Sequence, residues 1–445
     1  MTLATATALA LALTGAPAGA AAPVPDHPGA ATGAGTGSDT GSGTASGTAP
    51  RAVAGRASGW ASAWGTAHQY PVALAAWPHN WSVEGFSDQS LRQVVRVSAG
   101  GGQVRIRVSN RYGSAPLALT GATVARAGDG ATVQPGSVRT LRFGAARGVR
   151  VAAGRDRVSD PVSLPVRPLE KLTVTFHFAR PTGPVSFHYM GLTTTYRAGG
   201  DRTHDTSGQP FTATSGSLYA LAGVEVAGPR ADGTVVAFGD SITDGAGSTQ
   251  DADNRYPDQL AERLAADGSP LGVVNAGLGG NRLLSDSACF GESGLGRFRH
   301  DVLDRPGVTT AVVLLGINDI SASGTPDIGC GLAPSVTAQQ LIAAHATLAR
   351  QARARGIKAV GATLMPFKGV GFGYYSEAKD AIRKEVNAWI RTSGAYDAVV
   401  DLDRVMADPA DPDRLSPGYD AGDHLHTNDA GMDAMAEAIR PHVQP

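Results

Sequence analysis

Thr234-Val235-Val236-Ala237-Phe238-Gly239-Asp240-Ser241-Ile242-Thr243-Asp244-Gly245 decides how the C-terminal half of this chain is read. Its first five residues are an apolar run of strand length, and Gly239-Asp240 breaks it, so Ser241 falls where the strand ends. In open α/β sheets the carboxyl ends of strands face the crevice where ligands bind. A hydroxyl there attacks a substrate only when a base, an orienting acid and oxyanion donors converge on it.

Working outward, apolar runs alternate with helical patterns after the break at Gly228 to Gly233. The strands are Thr234 to Phe238, Gly272 to Asn275, Thr310 to Leu315, Lys358 to Leu364 and Ala398 to Leu402. Helical patterns cover Asp258 to Ala266, Gly296 to Leu303, Thr337 to Arg355, Ser376 to Thr392 and Asp429 to Ile439. Five strands alternating with helices predict a five-stranded parallel, flavodoxin-like α/β/α sandwich over 234–445. Upstream, 59–228 reads with period two and is punctuated by glycine and proline, which predicts an all-β sandwich or jelly-roll-like accessory domain. Within it, Gly100-Gly101-Gly102 between Gln93 to Val97 and Gln103 to Val108 is read as a hairpin signal.

Residues 1–22 hold an apolar stretch, Leu3 to Leu13, and small residues, the pattern of a signal peptide cleaved near Ala20 or Ala22. No Lys or Arg precedes that stretch, so either the true start lies upstream or the signal is atypical. Residues 23–58 are Gly, Ser, Thr, Ala and Pro with almost no bulky apolar side chain, the composition of a flexible linker. The expectation is a secreted, extracellular protein. Cys289 and Cys330, the two cysteines, would then form one disulfide closing a loop of about 40 residues, worth roughly 4 kcal/mol on the chain-entropy model, with two free thiols as the alternative. The formal net charge of −1 argues against a nucleic-acid partner, and no apolar run beyond the N-terminus is long enough to span a bilayer. A monomer is expected.

Partners for Ser241 come from three further places. Asp423-His424-Leu425-His426 precedes the last helix, and an acid three residues before a histidine can bond Nδ1 and leave Nε2 as base, which selects Asp423 with His426 over the rival His424. Asn275 to Arg282 is glycine-rich and follows the second strand, where a glycine lets a backbone N–H approach a substrate. Gly316-Ile317-Asn318-Asp319 follows the third, and Asn318 can donate through its amide.

These blocks, in this order, resemble the SGNH (GDSL-type) hydrolase family. Gly239-Asp240-Ser241 matches its serine block, Asn275 to Arg282 its glycine block, Gly316 to Asp319 its third block, and Asp423 with His426 its last, with Thr427 where the family usually has proline. The resemblance implies that the oxyanion glycine is Gly280 and that Ser241, Gly280 and Asn318 together form the oxyanion hole. It implies a serine esterase with Ser241, His426 and Asp423 as catalytic residues and no cofactor. The upstream β region, with Ser90 to Val95 and Ser109 to Gly113, looks like the accessory region of a secreted two-domain subgroup whose members act as esterases, some on carbohydrate esters.

The favoured substrate is a short-acyl, acetyl or carbohydrate ester, small or polymeric. The alternatives are a lipase or phospholipase acting on longer chains, and a polysaccharide-binding protein with a degenerate hydrolase domain. Ser285 to Gly296 and Ser321 to Pro334 read as polar rims, while Phe367, Phe372, Tyr374 and Tyr375 could wall an acyl groove. Asp240 and Asp319 read as loop braces or assistants to the site, and Arg282 as a substrate or bracing arginine. His188, Tyr189, Tyr196 and Arg197 either shape the cleft or are ordinary strand residues. Asp251, Asp253 and Glu262 faintly resemble a calcium loop, but Tyr256 stands where glycine is needed. No metal is expected.

Overall fold

A computed structural model describes residues 59–74, 77–228 and 233–444. The expected signal segment, 1–22, and linker, 23–58, lie outside the described residues.

The parallel sheet forms from continuous apolar runs, because strands covered on both faces have no polar side to alternate with. Val235, Val236, Ala237 and Phe238 are all fully buried. In space the order is Leu271–Ala276, Gly233–Gly239, Val308–Leu314, Lys358–Ala362 and Ala398–Val400, every pair parallel. The chain steps one way from its first strand to its second and the other way to the rest. Right-handed crossovers therefore divide the helices between the two faces and leave a switch point beside Gly239. Tyr256–Ala266 packs against Asp429–Val443, and Ala338–Ala354 against Glu377–Thr392. Helix starts follow local chemistry: Thr337 makes a capping box with Gln340, and Ser376 and Asn428 cap the next two long helices. The fifth strand stops at Val400, and Leu402 opens a short helix instead of ending the strand.

The upstream region is antiparallel. One sheet joins Trp60–Gly65, Leu221–Ala227, Gly101–Asn110, Arg155–Val158 and Val162–Val166; another runs from Ala213–Ser215 through Thr195–Gly199, Gln89–Arg96, Lys171–Phe178 and Gly121–Arg126 to Arg139–Thr140. Both contribute to one apolar cluster that includes Leu91, Val95, Val104, Ile106, Phe176 and Val224.

The expected hairpin at Gly100 to Gly102 is not there. Gln89–Arg96 and Gly101–Asn110 belong to different sheets, and the glycines make a corner between them. A Cβ on Gly100 would lie 2.8 Å from the Val166 carbonyl oxygen, and one on Gly101 2.8 Å from that of Ala227. The glycines admit a close backbone crossing rather than a two-residue turn. The acidic run Asp408 to Asp413 is part of a hairpin with an exposed turn at Pro409-Ala410. It forms an antiparallel pair, Ala407–Asp408 with Asp411–Leu415, whose Asp411 and Asp413 bind Lys368 and Lys384.

Leu271–Ala276 is an edge strand, and the antiparallel region covers it. Ser98 Oγ accepts the Val273 amide at 2.7 Å, the Ser62 amide donates to Thr234 Oγ1 at 3.0 Å, and a Cβ on Gly272 would strike the Ser62 carbonyl oxygen. Buried Arg305 donates to the carbonyls of Thr66 and Ala222. The described residues of the antiparallel region and of the parallel sheet thus pack as a single unit.

Candidate active site

Asp240 starts the turn that presents the serine. Its Oδ1 accepts the Ile242 amide at 3.1 Å, capping a one-turn helix, Ser241–Asp244, which Gly245 ends at φ 114°. Gly239 has to be glycine, since a Cβ would lie 2.1 Å from Thr243 Oγ1 and 2.5 Å from the Leu314 carbonyl oxygen. Ser241 opens the helix, where amides lack intrahelical partners. Asp240 is buried beside it, and burial pushes its carboxyl up to about 7. Its role is the brace expected of a short acid in a turn.

His426 Nε2 lies 2.8 Å from Ser241 Oγ, and its Nδ1 lies 2.6 Å from Asp423 Oδ2. Asp423 Oδ1 accepts the amides of Leu425 and His426 at 3.0 and 2.8 Å. Burial raises the Asp423 carboxyl, but the imidazole and the two amides outweigh it and hold it at about 2. His424, the rival, pairs with Asp420 instead, at 2.6 Å, on an exposed left-handed residue.

The glycine-rich loop is stitched to the serine turn. Asn275 donates to the Thr243 carbonyl at 2.8 Å and accepts the Gly277 amide at 2.8 Å. Gly280 is left-handed at φ 69°, and a Cβ there would sit 2.3 Å from the Phe290 ring, so only glycine fits. Asn318 Nδ2 donates to the Asn281 carbonyl at 3.0 Å, while its Oδ1 accepts the Tyr374 hydroxyl at 2.5 Å. Those two bonds fix the amide's orientation and leave the second Nδ2 hydrogen free for a ligand. Asp319 accepts the Leu283 and Leu284 amides and braces the loop, its carboxyl pushed by burial up to about 6. Arg282 is buried and donates to the Asp286 carbonyl.

Of the four aromatics expected to wall a groove, Phe367 is fully buried in the core and Tyr374 is engaged with Asn318, while Phe372 is 74% exposed. Cys289 and Cys330 are joined in a disulfide that ties the two flanking segments together. The acids of the calcium-like stretch are occupied by other groups: Asp253 pairs with Arg96 and Lys171, Glu262 with Arg96, and Asp251 accepts from Thr194. Among the described residues no three His, Cys, Asp or Glu side chains are grouped to hold a metal ion.

Sequence reasoning missed two supporting side chains. Tyr374 looked like a groove wall, and burial keeps its hydroxyl protonated as the donor to Asn318 by raising its pKa. Arg297 is completely buried and donates to the Gly239 and Ala276 carbonyls and to Asn281 Oδ1, at 2.6, 2.9 and 2.8 Å. It joins the ends of the first two strands to the glycine-rich loop. Its signal was the i,i+4 spacing to Asp301, which it meets at 3.0 Å.

From Asp301 the network continues through His300 to Glu292 and Tyr112 of the antiparallel region. Burial lowers the His300 pKa, but Asp301 and Glu292 outweigh it and raise it to about 9. A raised histidine pKa stabilises the fold fully below its ordinary value of 6.5, and that contribution is lost as pH rises through about 9. His300→Gln should therefore melt lower than wild type at pH 6, with the gap shrinking by about 2–4 °C at pH 10. A gap independent of pH in thermal denaturation would refute this.

Residues 237–434 match the family model described as GDSL-like Lipase/Acylhydrolase family. The match spans Ser241, Gly280, Asn318, Asp423 and His426. Similar solved structures include the lipase/acylhydrolase from Enterococcus faecalis, 21% identical, covering 47% of this chain and 95% of that one with a TM-score of 0.37. A GDSL-like lipase from Bacteroides thetaiotaomicron is 19% identical over 47% of this chain and 87% of its own, TM-score 0.36. An acetyl xylan esterase, AlAXEase, is 19% identical over 47% of this chain and 100% of its own, TM-score 0.36. No curated protein matches the chain.

Proposed function

We propose that the protein is a secreted serine esterase that hydrolyses short-acyl or carbohydrate esters through an acyl-enzyme, with Ser241, His426 and Asp423 as catalytic residues. The observation that carries this reading is the unbroken chain Ser241 Oγ, His426 Nε2, His426 Nδ1, Asp423 Oδ2, with spacings of 2.8 and 2.6 Å. His426 Nδ1–H donates to the ionised Asp423, so Nε2 carries the lone pair that accepts the serine proton. Oγ bonds to the ester carbonyl carbon as that proton moves, and the carbonyl π electrons pass to oxygen. The amides of Ser241 and Gly280 and the Asn318 side chain receive that oxyanion. Collapse breaks the bond to the alkoxy group, and His426 returns the proton to the departing alcohol. Water then repeats the sequence on the acyl-enzyme and releases the acid.

The site's surroundings support the short-acyl or carbohydrate choice over a lipase. Long acyl chains need a large apolar groove, often under a lid. Here the disulfide ties the two flanking segments, 322–336 contains no helix, and only part of the expected aromatic wall is free. Export is supported by the same disulfide, which persists in oxidising compartments. No helix among the described residues is long and apolar enough to cross a membrane.

Labelling with a fluorophosphonate tests the enzyme reading against a degenerate, polysaccharide-binding hydrolase: modification of Ser241 supports the enzyme, and an unlabelled folded protein sinks it. Rates on p-nitrophenyl esters from acetate to palmitate, beside acetylated xylan, test the substrate class. A maximum at long chains would favour the lipase. Asn318→Ala should lower kcat about 100-fold with KM within about threefold, because the donor acts on charge present only in the transition state. A KM effect alone would remove Asn318 from the oxyanion hole.

A further inference from the structure

His188 lies in the antiparallel region, on the two-residue strand Phe187–His188, yet its Nε2 reaches Asp244 of the serine turn at 2.9 Å. Both side chains are almost wholly buried, at 2% and 1% exposure. Nε2 also lies 3.0 Å from the Met190 carbonyl oxygen. A carbonyl cannot donate, so Nε2 carries the hydrogen and points it at both acceptors. The other Asp244 oxygen, Oδ2, accepts the Gly279 amide at 2.9 Å. One carboxylate therefore bridges an imidazole from the antiparallel region and the peptide immediately before the Gly280 amide.

We propose that His188 is a positioning residue: through Asp244 it holds the Gly279–Gly280 segment where the Gly280 N–H can meet an oxyanion. This rests on the esterase reading only for its catalytic consequence. Asp244 is locked in place because a Cβ on Gly277 would come 2.2 Å from its backbone nitrogen, so the serine turn and the loop touch directly. Without the imidazole, its carboxylate is left buried with the Gly279 amide as its remaining partner. Burying an incompletely paired carboxylate is costly, and moving it toward water would carry the Gly279 amide along. A second tie acts on the same loop from the other side. Gln69 of the antiparallel region donates to the Cys289 carbonyl at 2.5 Å, and the next residue, Phe290, covers Gly280. The antiparallel region thereby completes the oxyanion loop rather than merely adjoining it.

The test compares His188→Gln with His188→Asn in the full chain. The Gln amide can place its nitrogen near the position of Nε2, while Asn is too short to reach Asp244. His188→Asn should lower kcat on p-nitrophenyl acetate about 10- to 100-fold, the scale of a misplacement near 1 Å, with KM within about threefold. His188→Gln should stay within about threefold of wild type. Amide hydrogen exchange of a peptide covering 277–284 should speed up in the Asn variant and not in the Gln variant, with the central strand 308–314 unchanged in both. Equal kcat and equal exchange in the two variants would overturn the proposal, as would a loss in His188→Asn that tracks only its unfolded fraction. Should wild type neither hydrolyse esters nor label at Ser241, the esterase reading fails, and the exchange measurement still decides the role of His188.

Discussion

Ser241→Ala is expected to leave a folded protein whose ester hydrolysis falls by about 10⁴- to 10⁶-fold. The fold should survive because the serine hydroxyl makes only one side-chain bond, to His426, and the turn is held by other groups. Asp240 still caps the helix, Gly245 still ends it, and Arg297 still grips the Gly239 carbonyl. The chemistry should not survive, since among the described residues no other hydroxyl is bonded to His426 Nε2. His426→Ala should cost about as much, because a hydroxyl without a base is a poor nucleophile. The double variant should be no slower than either single one, as groups acting in one step are non-additive. The residual rate would come from the oxyanion donors and substrate binding. Losses that multiply in the double variant would mean that the two residues act in separate steps. Fluorophosphonate labelling and p-nitrophenyl acetate turnover, with thermal denaturation as a control for folding, decide it.

Much of this site was legible because each part sits at a strand end marked by local chemistry. A buried parallel strand writes itself as an unbroken apolar run, and Gly or Asx at its end marks the turn, so Gly239, Asn275 and Gly316 announced their loops. The Asp423–His426 spacing is local too, which is why it separated His426 from His424. What failed was what depends on partners far along the chain. Two β-runs joined by glycines look like a hairpin, but pairing is chosen by the rest of the sandwich, and here each run found strands more than fifty residues away. Arg297 went unnoticed, since beyond Asp301 nothing nearby in sequence shows the three further acceptors that make its burial tolerable. Tyr374 and His188 escaped for the same reason. Each acts on a group from another element, 56 residues away in both cases.

Asp423→Asn should be nearly as damaging as loss of the serine, about 10⁴-fold, although it keeps size and shape. The reason lies in the two amides that flank the acid. Leu425 N–H and His426 N–H both donate to Oδ1, so an asparagine at 423 must turn its carbonyl oxygen toward them. Its NH₂ group is then forced into the Oδ2 position, 2.6 Å from His426 Nδ1 in wild type. A donor there requires Nδ1 to accept, which puts the imidazole hydrogen on Nε2. The nitrogen facing Ser241 then has no lone pair to take the serine proton. Asp423→Ala removes the acid without imposing the wrong tautomer, and it should retain at least as much activity as Asp423→Asn. A ranking with Asp423→Asn clearly the more active would show that the acid works by its volume or its support of the turn rather than by orienting the base. Nitrogen NMR of the imidazole reads the tautomer directly: hydrogen on Nδ1 in wild type and on Nε2 in Asp423→Asn. With the serine-side nitrogen blocked in this way, fluorophosphonate labelling of Ser241 should slow in step with turnover, because both need the same proton transfer.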